Sequence, residues 1–375
     1  MVSRRDVSRR DFIKLSAGSA AALGLLLFKF PNFETLFAAS VENTPIIWLQ
    51  GGSCTGCSVS VLNSLSPKIQ DVLVSQVIPG KQLSLRFHPT IMAASGDLAM
   101  QAIEDTAKNK GGYVLIMEGS IPTKDGGIYC ELGEKDGHGI TILEHVKELG
   151  SNAMAVIALG TCAAYGGIPS AAPNPTGSKG VQEVFDEEGI TTPVINLPGC
   201  PTHPDWFVGT VASILIGGLG SVEVDGAGRP LAFYGKLIHD NCPRRGHFDE
   251  GKFAKKFSEP YCLYELGCKG PVTYSDCSTR MWNGSTNWCV GANSPCIGCC
   301  NPGFPDTVSP FRSLAPLYNV TPPSWLPPMD IEPVGMPTPL AAGLGVAGGV
   351  IAGATITAIA GSFGKKPGED RKTED

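Results

Sequence analysis

Pro45-Ile46-Ile47-Trp48-Leu49-Gln50-Gly51-Gly52-Ser53-Cys54-Thr55-Gly56-Cys57 runs from an apolar segment straight into a glycine-rich turn that carries two cysteines. A short apolar run bounded by glycine is the pattern of a buried strand, and the amphipathic stretch 58–65 that follows reads as a helix. Further apolar runs at 83–87, 113–117, 154–159 and 194–197 alternate with helical patterns at 98–108, 141–149 and 181–187, and 207–219 supplies a closing helix. Strands alternating with helices of this length imply an α/β domain, a parallel sheet covered on both faces. Ligands of such sheets sit beyond the carboxyl ends of the strands. Cys54 and Cys57 follow the first strand, Cys162 follows 154–159, and Cys200 follows 194–197. Each is flanked by Gly or Pro, which lets the backbone approach and offer amide donors to sulfur. Four thiolates on one edge describe a metal site, for zinc or for iron–sulfur. Taken alone, Cys54 and Cys57 also fit a thioredoxin-like redox pair, but such a pair needs no further thiols. Cys130 reads as a buried small hydrophobe. Glu118 follows a strand and reads as a solvated loop carboxylate, with a place on a proton route as the second reading.

Around Asp225-Gly226-Ala227-Gly228-Arg229-Pro230 the alternation stops, and a domain boundary is expected there. The stretch from His239 to Cys300 then holds eight of the thirteen cysteines, in the order His239, Cys242, Cys262, Cys268, Cys277, Cys289, Cys296, Cys299, Cys300. It is rich in Gly, Pro, Asn and Trp, and a segment unable to bury a regular apolar face needs covalent or metal staples. Cys300 is set aside because adjacent residues seldom ligate one metal with good geometry. Without Cys130 and Cys300 eleven cysteines remain, and His239 makes twelve ligands, three sets of four. Disulfides are the default in an exported cysteine-rich chain, and zinc would serve as a staple. Three closed sites in one chain look more like an electron relay.

The chain has 375 residues, 42% of them hydrophobic, enough for about two cores. A net charge of −6 without a basic stripe excludes nucleic acid as the expected partner. Ser8-Arg9-Arg10-Asp11-Phe12-Ile13-Lys14 before the apolar 15–30 resembles a twin-arginine export signal, with cleavage expected near Ala38-Ala39-Ser40. A basic amphipathic N-terminus or an uncleaved anchor is the plainer alternative. That export route carries proteins already folded in a reducing compartment, which favours metal centres over disulfides. At the far end, 340–363 is free of charge, and as a helix its 24 residues would span roughly 36 Å, enough for a hydrocarbon core. Lys365, Lys366, Arg371 and Lys372 after it suggest a cytoplasmic tail. The expected organisation is a signal at 1–40, the sheet domain at 41–225 and the cysteine-rich domain at 226–312. A Pro-rich linker at 313–338, a transmembrane helix at 339–364 and a tail at 365–375 complete it.

From Pro45 to about Phe311 the chain resembles the small subunit of nickel–iron hydrogenases. The resemblance rests on 48–60 around Cys54-Thr55-Gly56-Cys57, 160–169, 198–206 and His239-Asp240-Asn241-Cys242. It continues through Cys262, Gly267-Cys268-Lys269-Gly270-Pro271, Asp276-Cys277, Asn287-Trp288-Cys289 and 295–299. It implies a flavodoxin-like domain, an irregular cluster-binding domain, and a nickel–iron site on a separate large subunit. It also implies a proximal [4Fe-4S] cluster on Cys54, Cys57, Cys162 and Cys200, and a distal [4Fe-4S] cluster on His239, Cys242, Cys262 and Cys268. Most members have Pro where Cys289 stands, and a middle [3Fe-4S] cluster. Here Cys277, Cys289, Cys296 and Cys299 complete a [4Fe-4S] cluster, or a [3Fe-4S] one if Cys289 does not ligate. Cys289, with Ser53 and Val59 where many members carry Glu, resembles the nickel–iron–selenium branch. The implied function is electron relay from H2, cleaved on the large subunit, to a membrane cytochrome b or other quinone-linked subunit. The implied location is the periplasmic face of the membrane, reached with the twin-arginine machinery. The rival readings are a quinone-reductase subunit of a complex I-like assembly, which resembles only the sheet domain, and an exported zinc-stapled structural protein.

Overall fold

Five parallel strands make the frame. They are β1 (Glu42–Gln50), β2 (Lys81–Phe87), β3 (Val114–Glu118), β4 (Ala155–Leu159) and β5 (Val194–Leu197), side by side in the order β2-β1-β3-β4-β5. A short antiparallel strand, Gln76–Ile78, borders β2. This is the flavodoxin-like order, and its switch point falls between β1 and β3. The computed structural model describes residues 42–65, 68, 76–78 and 81–314, all of which belong to one compact unit.

The central strands are apolar on both sides because both faces are covered: every residue of β3 and of β4 is buried. The covering helices are α1 (Gly56–Leu62), α2 (Asp97–Ala107), α3 (Ile142–Asn152), α4 (Thr161–Tyr165), α5 (Val181–Glu188) and α6 (Pro204–Gly217). Local sequence sets their ends. At the start of α3 the Thr141 hydroxyl accepts the Glu144 amide while the Glu144 carboxylate accepts the Thr141 amide, a reciprocal cap. α6 opens on Pro204, whose missing N–H costs nothing at that position, and the His203 ring accepts the Asp205 amide at 3.1 Å.

One sheet face packs Ile47, Leu115 and Met117 against Val146 and Phe185. The other packs Trp48, Ile116 and Leu159 against Trp206 and Phe207, and the same apolar cluster runs on through Tyr234, Leu263, Trp288 and Cys296. Residues 226–314 thus share a core with the sheet although they contain only short helical pieces, among them α7 (Leu231–Tyr234), α8 (Arg245–Asp249) and α9 (Cys277–Arg280). Polar ties cross the seam: Trp206 Nε1 donates to Asp276 Oδ1 at 2.8 Å, and the Tyr234 hydroxyl donates to the Pro198 carbonyl at 2.7 Å. Arg229, buried, pairs with Asp225 at 2.7 Å and reaches the Cys300 carbonyl at 3.4 Å.

The fold class expected from sequence needs one correction. Among the described residues no helix is long and apolar enough to cross a membrane. The most extended apolar helix, α6, has 14 residues, about 21 Å against a hydrocarbon core of about 30 Å. The stretch 339–364 assigned to a transmembrane helix lies outside the described residues, as do the signal at 1–40, the tail at 365–375 and all but the first residues of the linker. Among the described residues the fold class is therefore an α/β parallel sheet with an irregular cysteine-rich region, and no helix there is long and apolar enough to cross a membrane.

Candidate metal centres

The carboxyl ends of β1, β4 and β5 each release the chain into a turn bearing cysteine: Cys54 and Cys57 after β1, Cys162 after β4, Cys200 after β5. The topology therefore brings together four thiols that are spread over nearly 150 positions. Burial pushes the Cys57, Cys162 and Cys200 thiols up, Cys200 to about 12, and each is opposed further by the neighbouring thiolates. Close approach explains the glycines here. Gly160 has φ +88°, and a Cβ on it would lie 2.4 Å from Cys57 Sγ.

Glu118 closes β3 in the middle of this edge, and it is 1% exposed rather than the solvated loop carboxylate expected from sequence. Its Oε1 accepts the amides of Cys57 (3.1 Å) and Ser58 (3.2 Å) and the Ser53 hydroxyl (3.3 Å). Its Oε2 accepts Trp48 Nε1 (3.1 Å), Gln50 Nε2 (3.2 Å) and the Ser58 hydroxyl (2.5 Å). Behind Ser58 stands His88, Nε2 to Oγ 3.1 Å, with its pKa brought down to about 4 by burial against the opposing pull of Glu118. The only sequence signal for this role was a charge ending a wholly apolar run.

The second group is His239, Cys242, Cys262 and Cys268. All four are buried and all four line one cavity, closed by Leu263, Tyr264, Pro271 and Val290 among others. Burial, and then the charge of Arg245, holds His239 near a pKa of about 4, so it is a neutral imidazole at pH 7, and its Nε2 has no hydrogen-bond partner. Burial pushes Cys242 to about 11 and Cys262 to about 12. The Gly270 amide points at Cys268 Sγ, 3.4 Å away.

The third group, Cys277, Cys289, Cys296 and Cys299, lies between the other two. Cys299 accepts Thr161 of the sheet edge at its carbonyl, and Cys296 accepts the amide of Lys269, next to Cys268, at 2.7 Å. The Gly298 amide donates to Cys296 Sγ at 3.4 Å and Ser275 Oγ sits 3.0 Å from Cys277 Sγ. Cys289 is an exposed residue, yet burial around its thiol, and then the thiols of Cys299 and Cys268, push its pKa up. Cys300, set aside in the sequence, is buried with its Sγ 3.9 Å from that of Cys299. This contact lowers the Cys299 pKa and raises that of Cys300. Cys130 is half-buried and away from all three groups, on the approach to α3. Lys269, 1% exposed, has its ammonium tied to the Gly267 carbonyl at 2.8 Å and to the Arg312 carbonyl, a buried cation beside Cys268 and Cys296.

All thirteen cysteines are free, so the staples are not disulfides. Among the described residues no three His, Cys, Asp or Glu side chains gather closely enough to hold a single metal ion. A multi-iron cluster spreads its ligands around an inorganic core. Buried thiols with raised pKa values, an orphaned neutral imidazole nitrogen and amide donors aimed at sulfur form the donor set that such a cluster requires, since bound iron reverses the desolvation penalty on the thiolates. A parallel-sheet domain sharing its core with a region of grouped, buried thiols and a neutral imidazole has the donor chemistry of an iron–sulfur electron-transfer subunit.

Comparison with known proteins agrees. Residues 234–312 match the family model for the C-terminal part of the NiFe/NiFeSe hydrogenase small subunit, and 54–214 match that for the NADH ubiquinone oxidoreductase 20 Kd subunit. The chain is 44% identical to the periplasmic [NiFeSe] hydrogenase small subunit of Desulfomicrobium baculatum, covering 81% of this chain and 98% of that one. It is 38% identical to the hydrogenase-2 small chain of Escherichia coli K12, covering 100% and 98%. The solved [NiFeSe] hydrogenase of Desulfovibrio vulgaris Hildenborough superposes with a TM-score of 0.68 at 48% identity, over 73% of this chain and 98% of that one. This chain belongs to the family of NiFe/NiFeSe hydrogenase small subunits. It is the electron-transfer subunit of a hydrogen:acceptor oxidoreductase whose H2-activating site lies on the large subunit, its partner.

Proposed function

We propose that the chain relays electrons, one at a time, from the large subunit through three iron–sulfur clusters to an acceptor beyond His239. Cys54, Cys57, Cys162 and Cys200 hold the first, Cys277, Cys289, Cys296 and Cys299 the middle one, and His239, Cys242, Cys262 and Cys268 the last. Bound clusters supply one-electron storage; the chain supplies ligands, spacing and a dry, hydrogen-bonded surround. Glu118 fixes the amides on either side of the Cys57 turn, and Lys269 places a positive charge between the middle and last sets. A neutral imidazole in place of one thiolate leaves the last cluster less negative, which suits exchange with an outside partner. With Cys289 as fourth ligand the middle cluster is [4Fe-4S], more negative than a three-thiolate one and lower in potential.

The observation that carries this reading is spatial order: the Cys277 group touches the sheet edge through Cys299 and the His239 group through Cys296. The rest of the proposal is export by the twin-arginine route from Ser8-Arg9-Arg10-Asp11-Phe12-Ile13-Lys14 to the periplasm, with a quinone-linked cytochrome b as acceptor. Relatives named periplasmic support the location. The complex I-like reading has the 54–214 match in its favour but leaves the His239 and Cys277 groups without a role. Iron and acid-labile sulfide analysis with EPR on the reduced two-subunit enzyme tests the proposal. Three four-iron clusters are expected; a colourless, zinc-containing protein would sink it.

A further inference from the structure

Thr161 opens α4, directly before Cys162, and it is 1% exposed. Its hydroxyl has partners on two sides. It accepts the amide of Gly199, the residue before Cys200, at 2.9 Å, and it donates to the carbonyl of Cys299. The Thr161 amide donates back to the Gly199 carbonyl at 3.0 Å. One small side chain therefore joins the backbones of three cysteine segments, two from the sheet edge and one from the Cys277 group. The last is 138 positions away in sequence. On the far side of the Cys277 group the equivalent tie, Lys269 amide to Cys296 carbonyl, is made by backbone alone. Thr161 is thus a side-chain link in the relay that substitution can remove.

We propose that Thr161 is the positioning residue that couples the first and middle clusters. Its hydroxyl fixes their approach, and the path from Cys162 through Thr161 to Cys299 carries the electron across the seam. The proposal rests on the three-cluster reading above. In the step, one electron leaves the reduced sheet-edge site, which is oxidised by one, and enters the Cys277-group site, which is reduced by one. No proton moves and no covalent bond changes; H2 oxidation on the large subunit supplies the electron. Valine matches threonine in shape but lacks the hydroxyl, so the Gly199 amide and the Cys299 carbonyl both lose a partner.

The test uses the complete two-subunit enzyme carrying Thr161→Val, Thr161→Ala or Thr161→Ser, each first assayed for iron and acid-labile sulfide. The readouts are the magnetic splitting between the reduced first and middle clusters in EPR, and the rate at which the middle cluster is reduced after rapid mixing with H2 and freezing. Val and Ala should keep their iron, show weakened splitting and slow middle-cluster reduction severalfold, while Ser restores both. Full iron with unchanged splitting and rate in Val and Ala overturns the proposal, as does a Ser variant that behaves like Val. Iron loss in Val or Ala, whether or not Ser shares it, makes Thr161 an assembly residue and overturns the coupling role. A parent enzyme without iron and sulfide would instead defeat the cluster reading, before any variant is compared.

Discussion

Glu118→Gln removes one charge from the middle of the sheet edge and replaces an acceptor oxygen by an NH2 donor. Both carboxylate oxygens face donors only, three apiece, so wherever the new NH2 group sits it confronts N–H or O–H groups instead of accepting from them. Hydrogen bonds to a charged acceptor contribute about 1.5–3 kcal/mol each, and a buried donor left unmet costs about 1–3 kcal/mol. The fully buried donors are Trp48 Nε1 and the two from Ser58. Gln cannot satisfy all of them at once, which sets the loss at about 4 kcal/mol, a large part of a typical stability of about 5–15 kcal/mol. At about 2–4 °C per kcal/mol for a domain of this size, the melting temperature should fall by about 10 °C. The measurement is calorimetry of the two-subunit enzyme at one fixed scan rate, beside the parent, with iron content checked before each scan. A melting point within about 2 °C of the parent, with iron intact, would refute the view that Glu118 is the ionised hub of the Cys57 turn.

Cys289→Pro should convert the middle cluster to [3Fe-4S], giving a strong EPR signal in the oxidised enzyme and a higher middle potential; an unchanged cluster type would remove Cys289 from the ligand set. Arg229→Met leaves Asp225 without its buried partner and the Cys300 carbonyl without a donor, so thermal unfolding should show a loss of about 3 kcal/mol. His88 carries a folded pKa of about 4 against an ordinary value of 6.5. The unfolded chain therefore binds the extra proton first, and the stability His88 contributes is present above pH 6.5 and lost as pH falls towards 4. Parent and His88→Gln melting temperatures, followed over that interval, should converge on acidification, and parallel curves would argue against a buried neutral ring.

Local chemistry made much of this protein legible in the amino-acid order. Period and length of the apolar runs defined the strands and the helical patterns between them. These are short-range signals, because propensity, capping and spacing act within a few residues. Hydropathy proposed a membrane span at 339–364, which lies outside the described residues, and among the described residues no helix is long and apolar enough to cross a membrane. What only the tertiary structure decided are the contacts between distant segments. Burial turned Glu118 from a loop carboxylate into the acceptor of six donors, packing of the cysteine-rich region on the sheet edge brought Cys299 to Thr161, and folding within that region brought Cys296 to Lys269. The physical reason is common to all three. A residue's type and neighbours fix what it can donate, accept or ligate, whereas its partner and its distance from water depend on chain closure over tens to hundreds of residues.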